Sequence, residues 1–70
     1  MSRRRGAVAS FDQHAGLGVI RDGDGRDYPF HCTQIAGGSR SIPPGTEVEF
    51  VVVPGHLGRW EAAAIRPYQG

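Results

Sequence analysis

The chain has no lysine at all, and only one cysteine, one methionine and one tryptophan. Each shortage excludes something. Without lysine, every fixed positive charge is a guanidinium. The eight arginines stand against seven acids, so the formal net charge is only +1. That is far from the strongly basic surface of a tight nucleic-acid binder. The single Cys32 has no partner for a disulfide within the chain. Small secreted domains usually carry several cysteines, so the composition points to a reducing cytoplasm. No apolar run is longer than Phe50 to Val53, far short of a membrane span. Gly6 to Asp12 contains no apolar stretch of the kind a secretion signal needs. Seventy residues make one small domain with little volume for a deep substrate pocket, so an enzyme is not expected.

What charge there is lies unevenly. Arg3, Arg4 and Arg5 are consecutive, and from Gly6 onward five arginines face seven acids. The division this suggests is a flexible Arg-rich arm over 1–5, a folded body over 6–67 and a short tail over 68–70, with Tyr68 exposed in it. The arm is either a solvated segment or a contact for phosphates or another acidic partner.

Five short strand patterns separated by turn signals make up the body, and no segment repeats every 3.6 residues. They are Gly6–Asp12, Leu17–Asp22, Asp27–His31, Thr46–Val53 and Arg59–Arg66. Val48, Phe50 and Val52 alternate on one face of the fourth. Asp12-Gln13-His14, Gly23-Asp24-Gly25 and Gly55-His56-Leu57-Gly58 read as turns. A long connection from Cys32 to Gly45 opens with a short helical turn over Thr33–Ala36 and ends rigidly at Ile42-Pro43-Pro44-Gly45. Glu61-Ala62-Ala63-Ala64 has helical propensity, but the preceding turn and Ile65 favour a strand. So many short strands are best stabilised by curling into a small antiparallel β-barrel, which hides their edges. Val8, Ile20, Tyr28, Phe30, Val48, Phe50, Val52 and Ile65 are the expected core.

Catalytic and metal chemistry find little support. Adjacent strand residues point to opposite faces, so His31 and Cys32 do not read as a thiol with its base. His14, His31, Cys32 and His56 have no zinc-ligand spacing. Asp22, Asp24 and Asp27 surround a glycine-rich turn but lack the distal glutamate of a calcium loop. Gly16-Leu17-Gly18 lacks the third glycine of a dinucleotide site. No cofactor is implied.

One ordered set of motifs carries more. Gly6-Ala7-Val8-Ala9-Ser10-Phe11 is followed by Gly16-Leu17-Gly18-Val19-Ile20, then by Asp27-Tyr28-Pro29-Phe30-His31, and later by Gly45-Thr46-Glu47-Val48-Glu49-Phe50. Together these resemble the cold-shock domain family, whose corresponding segments read G-x-V-K-W-F, G-F-G-F-I, D-V-F-V-H and G-x-x-V-x-F. Ile35 and Ala62 to Ile65 resemble its later positions, with one extra residue near Trp60. The resemblance covers Gly6 to Ile65. It implies a five-stranded antiparallel β-barrel of the OB type that binds single-stranded RNA or DNA with low sequence preference. The departures fall on one face. Ser10, Leu17, Val19 and Pro29 stand where the family carries aromatics, and Ala9 where it carries lysine. Since each base stack is worth about 1–3 kcal/mol, binding is expected to be weaker than in a typical member and salt-sensitive.

The candidate contacts are then Ser10, Phe11, Leu17, Val19, His31 and Trp60, with Arg40, Arg59 and the Arg3 to Arg5 arm supplying charge. Phe11 also reads as core. His31 reads either as a stacking or phosphate-donating residue or as a solvated histidine. Trp60 either restores part of the platform or lids one end of the core, the second being preferred. The competing reading is a protein-interaction module or homodimer that uses the Leu17, Val19 and Pro29 face.

Overall fold

In a computed structural model, which describes residues 3–69, five strands form one antiparallel sheet. They are β1 (Arg4–Asp12), β2 (Leu17–Asp22), β3 (Asp27–His31), β4 (Glu47–Pro54) and β5 (Trp60–Pro67). β2 and β3 coincide with their sequence patterns. The alanine-rich segment is a strand, because Ala62, Ala63 and Ile65 bury their side chains in the sheet's interior. Among the described residues the only helical elements are short 3-10 turns at Cys32–Gln34, Ala36–Gly38 and His56–Gly58.

β1 starts at Arg4, so the expected arm needs correction. Arg4 and Arg5 pair with Phe50 and Glu49 of β4 rather than hanging free. Arg3 reaches Glu49, and Met1 and Ser2 of that arm lie outside the described residues, as does Gly70 of the expected tail. Tyr68 is half-buried, not exposed: its backbone N–H donates to Glu47 O at 2.9 Å, and the Arg5 guanidinium lies 3.7 Å from its ring centre.

The strand order is β3-β2-β1-β4-β5, which leaves β3 and β5 as edges. The expected barrel is therefore not closed by a hydrogen-bonded ladder. Between the two ends only an isolated parallel bridge, Ile35 to Ile65, is made among the described residues. The sheet curls nonetheless. Val8, Ile20, Phe30, Val48, Phe50 and Ile65, which come from all five strands, share a single core. Two bulges help it bend. Ala9 is the extra residue of β1 opposite β2, and β5 shifts register around Ala64, whose φ is 50°.

The core holds the expected residues with one exception. Val52, next to the β4–β5 turn, packs on the margin of the core and is only partly buried. Ile35 and Ile42, from the long connection, are buried instead, as are Ala62 and Ala63. Gly18 makes room for the large Phe30: a Cβ there would lie 2.5 Å from the Phe30 ring. That ring crosses Gly18 and stacks on Phe11, with centroids 5.9 Å apart. Tyr28 tilts against Phe50 at 5.7 Å. No helix of the described residues is long and apolar enough to cross a membrane.

Candidate nucleic-acid interface

Cross-strand register decides which side chains share the outer face of β1, β2 and β3. Ser10 pairs with Val19, and Val19 with Pro29, making one row across three strands. Asp12 pairs with Leu17, and Leu17 with His31, making the next. Directly opposed residues of antiparallel strands present their side chains on the same face. Leu17, Val19, Pro29 and His31 thus form one patch. Leu17 is 53% exposed, His31 is exposed, and Val19 and Pro29 are half-buried. With Gly18, Phe30 and Glu61 they line a groove of about 440 Å³. Pro29 is tolerated here because β3 is an edge strand, where a missing N–H costs no interior ladder bond.

The turns hold this patch in place. Asp12 Oδ1 accepts from the N–H groups of His14 and Ala15, at 3.0 and 3.1 Å. Gly16 follows with φ of 70°, and its carbonyl accepts from Cys32 N–H at 2.8 Å. A Cβ on Gly16 would lie 3.0 Å from Cys32 Sγ, so glycine is required between Leu17 and the turn. At the other end Asp22 Oδ1 accepts from Asp24 and Arg26 N–H, at 2.9 and 3.0 Å. The Arg26 N–H holds the Asp22 carboxyl below the usual carboxylate range, and the Asp24 N–H, Tyr28 and the Arg26 charge act the same way against a desolvation that raises it. The Arg21 side chain likewise lowers Asp27 through a 2.7 Å ion pair.

His31 is oriented by the chain that follows it. Its Nδ1 accepts from Thr33 N–H at 3.2 Å and meets Thr33 Oγ1 at 3.0 Å. With Nδ1 accepting, the ring proton resides on Nε2, which leaves a donor on the exposed ring. Cys32 Sγ is 3.9 Å from Nδ1. It lies nearer than strict strand alternation implies, because the chain enters a 3-10 turn at Cys32.

The remaining candidates divide. Trp60 does not lid the core: it is 59% exposed. With Arg26, Tyr28 and Arg59 it walls a second depression of about 630 Å³ that shares Val19 and Pro29 with the first. Ser10 is exposed in the Val19 row. Phe11 is turned the other way, toward Phe30, and packs against the core, so it is not brought together with Leu17 and Val19. Arg40 stands apart, in a depression beside His14, Cys32 and Ser39.

The arginines separate into two sets. Arg3 and Arg66 pair with Glu49, Arg4 with Asp22 and Arg21 with Asp27, while Arg5 covers Tyr68. Arg26, Arg40 and Arg59 make no ion pair among the described residues. Sequence reading missed Arg26 and Glu61. Arg26 closes the glycine-rich turn, and Glu61 follows Trp60, but neither position is marked by a motif. Among the described residues no group of three His, Cys, Asp or Glu side chains converges as a metal site.

A curled five-stranded sheet with two outward rows across β1 to β3 and a long excursion after β3 defines a small OB-type β domain. The chain belongs to the cold-shock domain family: a sequence model of the 'Cold-shock' DNA-binding domain matches residues 4–68. It is 36% identical over 64 residues to cold shock protein CspB of Geobacillus stearothermophilus, an alignment that covers 90% of this chain and 97% of that one. Its structure resembles that of drosophila Unr CSD456, with a TM-score of 0.78 and 31% identity. That match covers 96% of this chain but 27% of the Unr chain.

Proposed function

We propose that the chain is a binding module, not an enzyme, that holds single-stranded RNA or DNA weakly and with low sequence preference in the cytoplasm. The observation that carries this reading is the joining of two kinds of surface at Val19 and Pro29. One is the Leu17, Val19, Pro29 and His31 groove; the other is the exposed Trp60 with Arg26 and Arg59, which make no ion pair among the described residues. Rings and apolar side chains offer a base its faces, and guanidinium groups beside them offer phosphates a counter-charge. Trp60 supplies from β5 a ring that Ser10, Leu17, Val19 and Pro29 no longer supply from β1 to β3. Affinity is then modest and falls with salt.

The exposure of Trp60 and Leu17, at 59 and 53%, supports the second reading, a homodimer or protein contact through this side. One experiment separates them. Fluorescence anisotropy of a labelled single-stranded hexanucleotide is measured at two salt concentrations, beside sedimentation of the protein alone. Salt-sensitive binding by a monomer supports the nucleic-acid reading. Background anisotropy at low salt with a sedimenting dimer overturns it.

A further inference from the structure

Glu61 is out of place on a nucleic-acid face. It is the one carboxylate lining the groove, whose other walls are Leu17, Gly18, Val19, Pro29, Phe30 and His31. A free carboxylate repels phosphate, and among the described residues Glu61 makes no ion pair. Its position is held. Oε2 accepts from His56 N–H at 3.2 Å, across the β4–β5 turn. The side chain also rests against Gly55, where a Cβ would come within 2.3 Å of its Cδ. Oε1 has no hydrogen-bond partner among the described residues. The groove therefore pairs an apolar surface able to take a base face with an oriented acceptor at its edge.

We propose that Glu61 reads the edge of a base seated in this groove and selects bases that carry an exocyclic amine, cytosine over uracil. This rests on the single-strand reading above and sharpens its low sequence preference at one position. An ionised carboxylate only accepts hydrogen bonds. Cytosine meets it with the N4 amine, whereas uracil presents the O4 carbonyl there and the two acceptors repel. The rings are otherwise alike in stacking, so the difference falls on the edge. The neighbouring residue fits the same geometry. Side chains alternate along a strand, so Trp60 and Glu61 project to different sides of β5. The depression lined by Arg26, Arg59 and Asp27, the last already paired with Arg21, takes Trp60, and the groove takes the Glu61 carboxylate. A strand crossing β5 then places its backbone toward the arginines and a base toward Glu61.

The test compares labelled dC6 with dU6, which differ at the base edge alone, on the wild-type protein and on Glu61→Gln. Wild type is expected to bind dC6 about fivefold more tightly. The glutamine amide both donates and accepts, so in Glu61→Gln the ratio falls to near one. It retains an oxygen for His56 N–H, and an unchanged thermal midpoint confirms the turn. Loss of a negative charge raises affinity for both strands together and leaves the ratio untouched, so the ratio isolates base reading. Equal binding of dC6 and dU6 by wild type, which requires no variant, overturns the inference and leaves single-strand binding standing. So does a ratio that survives Glu61→Gln. Binding of neither strand at low salt overturns the single-strand reading itself.

Discussion

The two faces of β2 and β3 alternate residue by residue along the same ten or so positions, and their chemistry is opposite. Ile20, Tyr28 and Phe30 point inward and are at most 7% exposed. Leu17, Val19, Pro29 and His31 point outward on a shallow groove. Tyr28 and Phe30 are larger than the family's valines, and Leu17, Val19 and Pro29 are smaller than its aromatics, while Ile20 and His31 match it. Ring mass has in effect moved from the surface to the interior, where Gly18 accommodates it. The inner face carries the burial that stabilises the fold, and the outer face stays open along the groove. A parallel contrast separates the arginines. Those at the start of β1 are engaged within the fold, and Arg26, Arg40 and Arg59, on the loops, make no ion pair among the described residues.

The largest effect is expected from the inner face. Phe50 is fully buried, and Phe50→Ala should cost about 3–5 kcal/mol in urea denaturation. A domain of this length has roughly 4–10 kcal/mol in total, so the variant sits near its folding threshold. A loss below about 1 kcal/mol would erase the distinction between faces.

Next comes the outer face. Leu17→Phe with Val19→Phe should leave stability within about 0.5 kcal/mol, because both side chains face the groove. It should strengthen binding of a short single strand by up to about 1–3 kcal/mol for each ring that stacks. Trp60→Ala should weaken binding by about the same amount per base with no change in thermal midpoint, and His31→Ala should weaken it less. Anisotropy titrations read all three. Failure of the restored rings to raise affinity in a folded variant would remove stacking from the mechanism.

The arginine contrast predicts a smaller, more specific change. Arg26→Ala and Arg59→Ala should each reduce the slope of log K against log salt by up to about 0.9, one phosphate contact apiece. Arg5→Ala should leave it nearly unchanged, since that guanidinium covers Tyr68. An equal response from all three would show that the internal contacts do not withhold charge.

The smallest effect concerns pH. Asp22 and Asp27 have folded-state pKa values below their ordinary ones. Their contribution is therefore present above the unfolded value near about 4 and is lost as pH falls through the lower folded values. Asp22→Asn should flatten the decline of stability in that acid range, followed by circular dichroism. A steeper decline in the variant would reverse the assignment.

The sequence by itself determined the number and type of elements. Turn residues bounded β2 and β3 to the residue, and the alternation of Val48 and Phe50 in β4 marked the core face, because both signals are local. It also determined the family, since Gly16 and Gly18 meet backbone constraints, a positive φ and a close approach of Phe30, that other residues do not satisfy. Only the tertiary structure decided the rest. Closure depends on the distance between β3 and β5, which no local pattern encodes. The burial of Ile35 and Ile42 depends on where the long connection folds back. Three consecutive arginines read as a free basic arm until Glu49, Asp22 and Tyr68, all remote in sequence, engage them. Trp60 read as platform or, preferably, core lid until β5 placed it exposed in the depression with Arg26, and only the same strand sets Glu61 in the groove. Strand periodicity specifies which face a side chain takes, but contacts across the chain decide what stands opposite it.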